Sequence, residues 1–195
     1  MSWLTGVSTE LLHRRHYTAK RIGFLKRKDP DQMGTLVYLS GPPCSGKSAV
    51  ANNVQMSVRG IQYVRGDDYW NMSPDLSFEE RVTTTNKRIL ATVRNSKAQD
   101  IVCEWVPWHG QFANNLYEIS VTAKRQFLHI VLMAPLVVLK RRKLERDGDE
   151  EIGTEVATGP LRHETYKQLI FDTNRVEVAG IADQVSDWIQ LQNET

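Results

Sequence analysis

The chain has 195 residues, a length that favours a single α/β domain. Hydrophobic residues make up 41% of it and charged residues 25%, which is sufficient for a core in a soluble protein. No apolar run approaches the roughly 18 residues of a membrane-spanning helix, and the N-terminus lacks the apolar segment of a signal peptide. The two cysteines lack metal-ligand spacing. These features predict a cytoplasmic protein with free thiols and no membrane partner.

Charge is unevenly distributed, although the net value is only +2. Residues 1–34 carry an excess of four positive charges, and the remainder carries an excess of two negative charges. We therefore divide the chain into a basic N-terminal extension (1–34) and one domain (35–195). Trp3, Tyr17 and Phe24 are interleaved with the basic residues, a pattern that suits a polyanion such as nucleic acid. A solvent-exposed arm, or a strap packed on the domain, explains the same pattern equally well.

Residues 41–48 read GPPCSGKS and fit the phosphate-binding pattern GxxxxGK[ST] at every required position. The β-rich run Thr35–Ser40 precedes this loop, and a helix is predicted from Ala49 onward, with apolar residues at 50, 54 and 58. A strand, a glycine loop and a helix N-terminus in this order direct backbone N–H groups at one anion. The sequence therefore predicts a binding site for a nucleoside triphosphate.

Each residue type in the loop has a physical role. Gly41 and Gly46 allow backbone angles and close approaches that a Cβ atom would prevent. Lys47 is expected to reach the β- and γ-phosphates, and Ser48 to provide one Mg²⁺ ligand. The predicted nucleotide-binding residues of the loop are Gly41, Pro42, Pro43, Cys44, Ser45, Gly46, Lys47, Ser48 and Ala49.

A second strand is predicted at Ile61–Val64, and Asp67 and Asp68 follow it. Carboxylates at the carboxyl end of such a strand point into the ligand crevice of an open α/β sheet. One aspartate is expected to accept the proton of an attacking hydroxyl and its neighbour to hold Mg²⁺ through water. We favour Asp67 as the base without excluding Asp68, and a simple polar turn is the alternative. Asp68, Tyr69 and Trp70 are predicted to lie beside the acceptor.

A capping box formed by Ser77 and Glu80 opens a predicted helix that runs to about residue 95. The apolar residues from Ile101 onward predict a buried strand that ends near Glu104, which is the candidate acid for ordering a Mg²⁺-bound water. Two tryptophans follow this strand. Trp105 and Trp108 could stack on a planar acceptor such as a nucleobase, or could simply pack as large aromatic residues.

The second half of the chain predicts four more helices and two more strands. A helix over 111–125, with Phe112, Leu116 and either Ile119 or Val121 inward, precedes a strand over 127–133. A cationic helix over 136–146 leads into an acidic loop, and we place a lid around 140–158. A helix over 160–167, a strand over 169–171 and a helix over 176–192 complete the pattern.

Arginines near this lid are expected to clamp the transferring phosphoryl group, where charge develops during the reaction. The candidates are Arg141, Arg142 and Arg146, and we place Arg142 among the catalytic residues. The alternative explanation is that these positive side chains only stabilise the negative, C-terminal end of the helix dipole.

In the order of these parts, the chain resembles the small P-loop kinases of gluconate, shikimate, adenylylsulfate and nucleoside monophosphates, especially the chloramphenicol phosphotransferase-like branch. The resemblance covers about residues 35–192. Besides the loop, it is carried by Asp67-Asp68, by Ala134-Pro135-Leu136 with Arg141-Arg142, and by the segment from His163-Glu164 to Asp172-Thr173.

This resemblance implies an α/β fold with a five-stranded parallel sheet and helices on both faces, and it implies ATP and Mg²⁺ as cofactors. It also implies that Arg141, Asp172 and Thr173 lie at the nucleotide. The segment from Glu104 to Trp108 departs from the pattern of an antibiotic kinase. The profile also resembles that of phage P-loop kinases that phosphorylate hydroxymethylated pyrimidines in DNA.

The sequence therefore predicts a kinase that transfers the γ-phosphate of ATP to a hydroxyl, with preference for a nucleotide or nucleic-acid acceptor. The basic extension and the aromatic residues near Asp68 and Glu104 motivate this preference. A small antibiotic or metabolite is the alternative acceptor. A nucleotide-dependent switch is a further alternative, although the sequence lacks the N-K-x-D motif of GTPases.

Overall fold

The computed structural model describes residues 34–106, 111–149, 151, 166 and 168–193. The strands are β1 (Thr35–Ser40), β2 (Gln62–Arg65), β3 (Ile101–Glu104), β4 (Gln126–Met133) and β5 (Gln168–Asp172). The helices are α1 (Lys47–Ser57), α2 (Gly66–Asn71), α3 (Phe78–Asn95), α4 (Gln111–Thr122), α5 (Leu136–Asp147) and α6 (Val178–Asn193). The predicted extension, apart from Gly34, and the predicted helix over 160–167, apart from Tyr166, lie outside the described residues, as do residue 150 and residues 152–158 of the predicted lid.

The five strands form one parallel sheet in the order β2-β3-β1-β4-β5. Parallel strands need crossover helices, which cover both faces of the sheet and give strands that are apolar on both sides. The central strand β1 is fully buried along its length. The predicted five-stranded parallel sheet is therefore confirmed.

Alternate residues of β1 contribute to two separate cores, one on each face of the sheet. Val37 and Leu39 pack with Val50 and Val54 of α1 and with residues of α6, including Trp188. Because neighbouring side chains of a strand point to opposite faces, the other residues of β1 serve the second core.

In that second core, Leu36 and Tyr38 pack with Ile89 of α3 and Leu116 of α4. The prediction of helices on both faces is thus confirmed. Ile119 is the inward residue at the end of α4, whereas Val121 is exposed. None of the helices in the described part of the chain is long and apolar enough to cross a membrane.

Helices α1 and α6 begin two residues away from their predicted starts, α6 at 178 instead of 176, and helix α2 was not predicted. Helix α1 begins at Lys47, two residues earlier than expected, because Gly46 adopts a left-handed conformation (φ 95°) and serves as the N-cap. Helix α2 was not predicted, because Gly66-Asp67-Asp68 has the composition of a turn. It begins directly after β2, where Gly66 packs against the indole of Trp105.

The contact between Gly66 and Trp105 predicts an unequal response to two glycine substitutions. A Cβ atom at Gly66 would lie 2.0 Å from Cε3 of Trp105 and 2.9 Å from the carbonyl oxygen of Glu104. We expect Gly66→Ala to destabilise the protein by about 1–3 kcal/mol through overpacking. The free energy of unfolding from urea denaturation measures the effect.

Gly180→Ala is the matched control, since a Cβ atom there has no neighbour within 4 Å in the described structure. In helix α6, this substitution should stabilise the protein by about 0.5–1 kcal/mol. Equal free energies of unfolding for the two variants would contradict the close packing at Gly66.

Candidate functional site

The GPPCSGKS loop connects β1 to α1 at the carboxyl edge of the sheet, and its glycines are structurally required. Gly41 has φ 139°, and a Cβ atom there would lie 2.1 Å from the carbonyl oxygen of Leu132 on β4. Gly46 has φ 95°, a left-handed conformation that side chains disfavour. Cys44 also has positive φ, at 62°, without being glycine. The loop backbone therefore holds a specific shape against β4.

Lys47 is buried and folds back on its own loop. Its ammonium group donates to the carbonyl oxygens of Gly41 (3.1 Å) and Pro42 (2.9 Å). Burial lowers the pKa of Lys47, while the carboxylates of Glu104 and Asp67 oppose that change. Desolvation therefore disfavours the charged form of Lys47, and an anion in the loop would stabilise it.

Ser45 lies inside the loop, and its side chain is fully buried. Its hydroxyl oxygen has no hydrogen-bond partner among the described residues. Ser45 is not among the residues that line the cavity beside the loop, whereas Gly46, Lys47 and Ser48 are. The fit of the loop to a phosphate therefore rests on its glycines and on Lys47, not on Ser45.

Glu104 ends β3 beside the first turn of α1, and its carboxylate is only 3% exposed. The hydroxyl of Ser48 lies 2.9 Å from Oε1 and 3.0 Å from Oε2. Tyr63 donates a second hydrogen bond, of 2.7 Å, to Oε1. The Nε atom of Arg65 lies 3.8 Å from the same oxygen. The predicted acid at the end of β3 is thus in direct contact with the predicted Mg²⁺ ligand of the loop.

Tyr63 had no predicted role. Burial and the charge of Glu104 raise the pKa of Tyr63, so its hydroxyl stays protonated and acts as a donor. Strand alternation was the available signal, because Tyr63 and Arg65 share one side of β2. That signal could not be used without knowing that β2 lies next to β3.

Asp67 and Asp68 lie in the first turn of α2, and the structure places them differently. Asp67 lines a cavity beside the phosphate-binding loop. Asp68 is not among the residues that line this cavity in the described part of the chain. Arg65 lies 3.8 Å from Asp67 and 3.9 Å from Asp68, which are weak and largely exposed ion pairs. Of the two candidates for a base, the geometry favours Asp67.

The cavity has a volume of about 640 Å³, within the range of small-molecule sites. Its polar residues lie on the loop, α1, α2, β3 and α5, and its apolar residues lie on α2, at the start of α3 and after β3. The polar lining comprises Cys44, Lys47, Ser48, Asp67, Glu104, Arg142, Lys143 and Arg146, with Pro43, Gly46 and Ala49 between them. The apolar lining comprises Trp70, Phe78, Trp105 and Val106.

Three of these apolar residues form what we call the aromatic wall: Trp70, Phe78 and Trp105. The ring of Trp70 lies edge-on to Phe78 (5.7 Å between centroids) and tilted to Trp105 (6.0 Å). The guanidinium of Arg81 lies 4.0 Å from the centre of the Trp70 ring. The wall therefore presents an apolar surface in the cavity that also contains the phosphate-binding loop.

The predicted acceptor residues differ in exposure. Trp105 is 4% exposed and donates its indole N–H to Asn86 (2.8 Å), as a packed core residue does. Tyr69 donates to Thr92 on α3, and its ring packs against the second core. Trp108 lies outside the described residues. Phe78, which was not predicted to contribute, is 56% exposed and lines the cavity.

The arginines of α5 have distinct environments. Arg141 is exposed and lies 3.8 Å from Glu145. Arg142 donates to both the hydroxyl (2.9 Å) and the carbonyl (2.7 Å) of Thr173, and to the carbonyl of Cys44 (3.4 Å). Arg142 therefore ties the phosphate loop to the end of β5.

Arg146 lines the cavity and donates two hydrogen bonds to Asp147. Asp172 accepts a hydrogen bond from the backbone of Asn174 and pairs with Arg175 (3.3 Å). The predicted nucleotide-binding role of Arg141 and Asp172 thus rests on the resemblance alone. Thr173 is connected to the loop by Arg142, which donates hydrogen bonds to both Thr173 and Cys44.

The residues present fit Mg²⁺ in its usual mode of binding. Mg²⁺ prefers one or two protein oxygens completed by waters and phosphate oxygens. Ser48 and Glu104 offer hydroxyl and carboxylate oxygens at the phosphate loop, and Asp67 lies in the same cavity. No group of three or more potential metal-ligating side chains occurs in the part of the chain that the structure describes. A Mg²⁺ ion bound here would therefore take its remaining ligands from a nucleotide and from water.

The bonds of Arg142 predict a stability difference between two adjacent arginines. We expect Arg142→Ala to lower the free energy of unfolding by about 1–3 kcal/mol, because charged hydrogen bonds to Thr173 and Cys44 are lost. Arg141→Ala removes an exposed pair and should change it by less than about 0.5 kcal/mol. Urea denaturation measures both values, and equal effects would contradict the bridging role of Arg142.

No protein-family model matches this sequence, and no curated protein matches it. Solved structures share its fold. The APS kinase CysC of Mycobacterium tuberculosis, solved with AMPPNP and APS, is 22% identical with a TM-score of 0.58, over 82% of this chain and 99% of its own. The gluconokinase of Sinorhizobium meliloti is 16% identical with a TM-score of 0.55, over 87% and 97%.

The tunicamycin resistance protein of Deinococcus radiodurans is 17% identical with a TM-score of 0.56, over 79% of this chain and 94% of its own. Identities at this level establish a shared architecture. Together with the phosphate-binding loop at the carboxyl edge of the five-stranded sheet, they show that this chain has the fold of the small P-loop kinases.

Proposed function

We propose that the chain is an ATP-dependent kinase that transfers the γ-phosphate of ATP to a hydroxyl group of an acceptor. One observation carries the proposal. Lys47, Ser48 and Glu104 of the phosphate-binding side line the same cavity as Asp67, whose carboxylate can accept a proton. The cavity therefore contains both the groups that would bind the triphosphate of ATP and the carboxylate that would act as general base toward the acceptor.

In the proposed reaction, the loop amides and Lys47 hold the triphosphate. The acceptor oxygen forms a bond to the γ-phosphorus, the bond from that phosphorus to the β–γ bridging oxygen breaks, and ADP leaves. The acceptor proton passes to Asp67. Ser48 and Glu104 would hold Mg²⁺, which neutralises phosphate charge when bound. Arg142 and Arg146, at the cavity, are placed to balance negative charge on the transferring group.

The alternative of a nucleotide-dependent switch has less support in the structure. Hydrolysis needs only a water molecule beside the γ-phosphate, whereas this cavity extends from the loop to the aromatic wall. It therefore offers space and an apolar surface for an organic acceptor, which a switch does not need. The proteins of similar fold also favour transfer, since two of them are an APS kinase and a gluconokinase.

For the acceptor, we propose a hydroxyl on a molecule with a flat ring, in particular a nucleotide or a modified base of a nucleic acid. The aromatic wall supports this choice because flat rings stack on aromatic side chains at about 1–3 kcal/mol per base. The basic residues of 1–34 would suit a nucleic-acid backbone. A small metabolite or antibiotic is the second candidate. The volume of the cavity favours it, as does the similarity of the fold to an APS kinase, a gluconokinase and a tunicamycin resistance protein.

The two aspartates of α2 test the mechanism. Asp67→Asn should lower kcat by about 10²–10⁴-fold, because an amide cannot accept the proton of the acceptor. Asp68→Asn should change kcat by no more than a few-fold, because Asp68 does not line the cavity among the described residues. Transfer of label from γ-³²P-ATP to a panel of nucleosides, oligonucleotides, modified DNA and sugars measures both variants.

Binding of ADP serves as the control in this comparison and should be similar in the two variants and in the wild type. A loss of kcat confined to Asp68→Asn would identify Asp68, and not Asp67, as the base. Absence of label on every acceptor, with ADP bound normally, would count against a kinase and in favour of a switch.

The acceptor class predicts a particular salt dependence. If the acceptor is DNA or RNA, its apparent affinity should fall steeply with salt concentration, because phosphate contacts release counterions. Deletion of residues 1–33 should flatten that dependence. The KM of the acceptor at several salt concentrations measures the effect, with the KM of ATP as the internal reference.

A KM for the acceptor that is insensitive to salt in both the full chain and the truncated one would exclude the nucleic-acid version.

Phe78→Ala provides a second comparison. It should raise the KM of a ring-bearing acceptor by about tenfold, as expected for loss of one stacking contact, and leave the KM of ATP unchanged.

A further inference from the structure

Tyr63 lies outside the phosphate-binding motif, yet it contacts the most buried charge of the site. Its hydroxyl donates to Oε1 of Glu104 at 2.7 Å. Arg65 approaches the same oxygen at 3.8 Å, and Ser48 lies within hydrogen-bond distance of both carboxylate oxygens. Oε1 is therefore contacted by three side chains, whereas Ser48 is the partner of Oε2 in the described structure.

A glutamate at the end of β3 needs such a constraint. Compared with aspartate, its side chain has one more rotatable bond, and its carboxylate can take more positions. Arg65 offers an alternative partner that would draw the carboxylate away from the loop. Tyr63 is a rigid residue on β2, two register positions before the pairing of Arg65 with Glu104, and its ring packs against the core that contains Val102. Its hydroxyl is thus held at a fixed position.

The second consequence concerns Ser48. A serine hydroxyl has one proton to donate and two lone pairs that can accept or bind a cation. While the carboxylate of Glu104 lies beside Ser48, the proton is directed to the carboxylate. The lone pairs of the oxygen are then available to the cavity that Ser48 lines.

We infer that Tyr63 is a positioning residue, which holds Glu104 against Ser48 and so keeps both oxygens arranged for a divalent cation at the nucleotide. The inference rests on the proposed function, because it requires that the site bind a nucleotide with Mg²⁺. Tyr63 does not touch the nucleotide or the acceptor in this scheme. Partners that orient metal-binding side chains typically affect metal affinity or activity by about 10–100-fold.

The test measures ADP binding by calorimetry, in EDTA and with increasing MgCl₂, for the wild type and for Tyr63→Phe. We expect the affinity in EDTA to be unchanged, since the loop and Lys47 are intact. We expect the Mg²⁺ concentration at half-maximal enhancement to rise by about tenfold. This measurement requires neither an acceptor nor turnover. A Mg²⁺ titration identical to that of the wild type would overturn the inference.

Two further variants separate positioning from a general effect on folding. Tyr117→Phe removes a hydroxyl from α4, where the ring packs against Phe127 at 5.8 Å, and should leave the Mg²⁺ titration unchanged. In a Glu104→Gln background, Tyr63→Phe should produce no additional change in Mg²⁺ dependence. Independent, additive effects of the two substitutions would indicate that Tyr63 acts through stability alone and would also overturn the inference.

The inference and the proposed function can fail separately. Normal Mg²⁺-dependent ADP binding that weakens in Tyr63→Phe, without labelling of any acceptor, would support the positioning role and contradict the kinase. Phosphoryl transfer with the same Mg²⁺ requirement in Tyr63→Phe and in the wild type would contradict the positioning role and support the kinase.

Discussion

The carboxylate of Glu104 is the constraint on which the phosphate-binding end of the sheet depends. A buried charge costs several kcal/mol unless hydrogen-bond donors surround it. Here the donors come from two other parts of the chain, Ser48 in the first turn of α1 and Tyr63 on β2. Glu104 is also the register partner of Leu39 on β1 and of Arg65 on β2. The backbone of Glu104 therefore pairs with both neighbouring strands, and its side chain connects β2 to the loop at the edge where ligands bind in open α/β sheets.

Lys47 adds an electrostatic preference to this arrangement. Its ammonium group is removed from water, and its hydrogen bonds in the described structure go to two neutral carbonyls of its own loop. Desolvation without a paired anion disfavours the charged form, which is the cause of its lowered pKa. An anion that enters the loop would stabilise the charged form of Lys47. The loop is thus electrostatically complementary to a phosphate.

The sequence predicts the elements well and their long-range contacts poorly. The strand, loop and helix around residues 41–48 were predictable because a local pattern specifies them, and the five-stranded parallel sheet is confirmed. The pairing of Tyr63 with Glu104 was not predictable, since it depends on β2 and β3 being neighbours although 41 residues separate the two side chains. The same holds for Arg142 and Cys44, which are 98 residues apart. Helix α2 was missed because Gly66 is explained by its contact with Trp105, not by a turn.

The aromatic wall combines a fixed end with an accessible one, and this difference bears on specificity. Trp105 is held by the hydrogen bond to Asn86 and by Gly66, so its ring cannot move without disturbing the core. Phe78 is more than half exposed at the first position of α3 and can adjust to the molecule that enters. Trp70 lies between them, in contact with both rings. In the proposed reaction, the fixed end would therefore set the distance from Asp67 and the loop to the acceptor, and the accessible end would be the place where differences between acceptors are recognised.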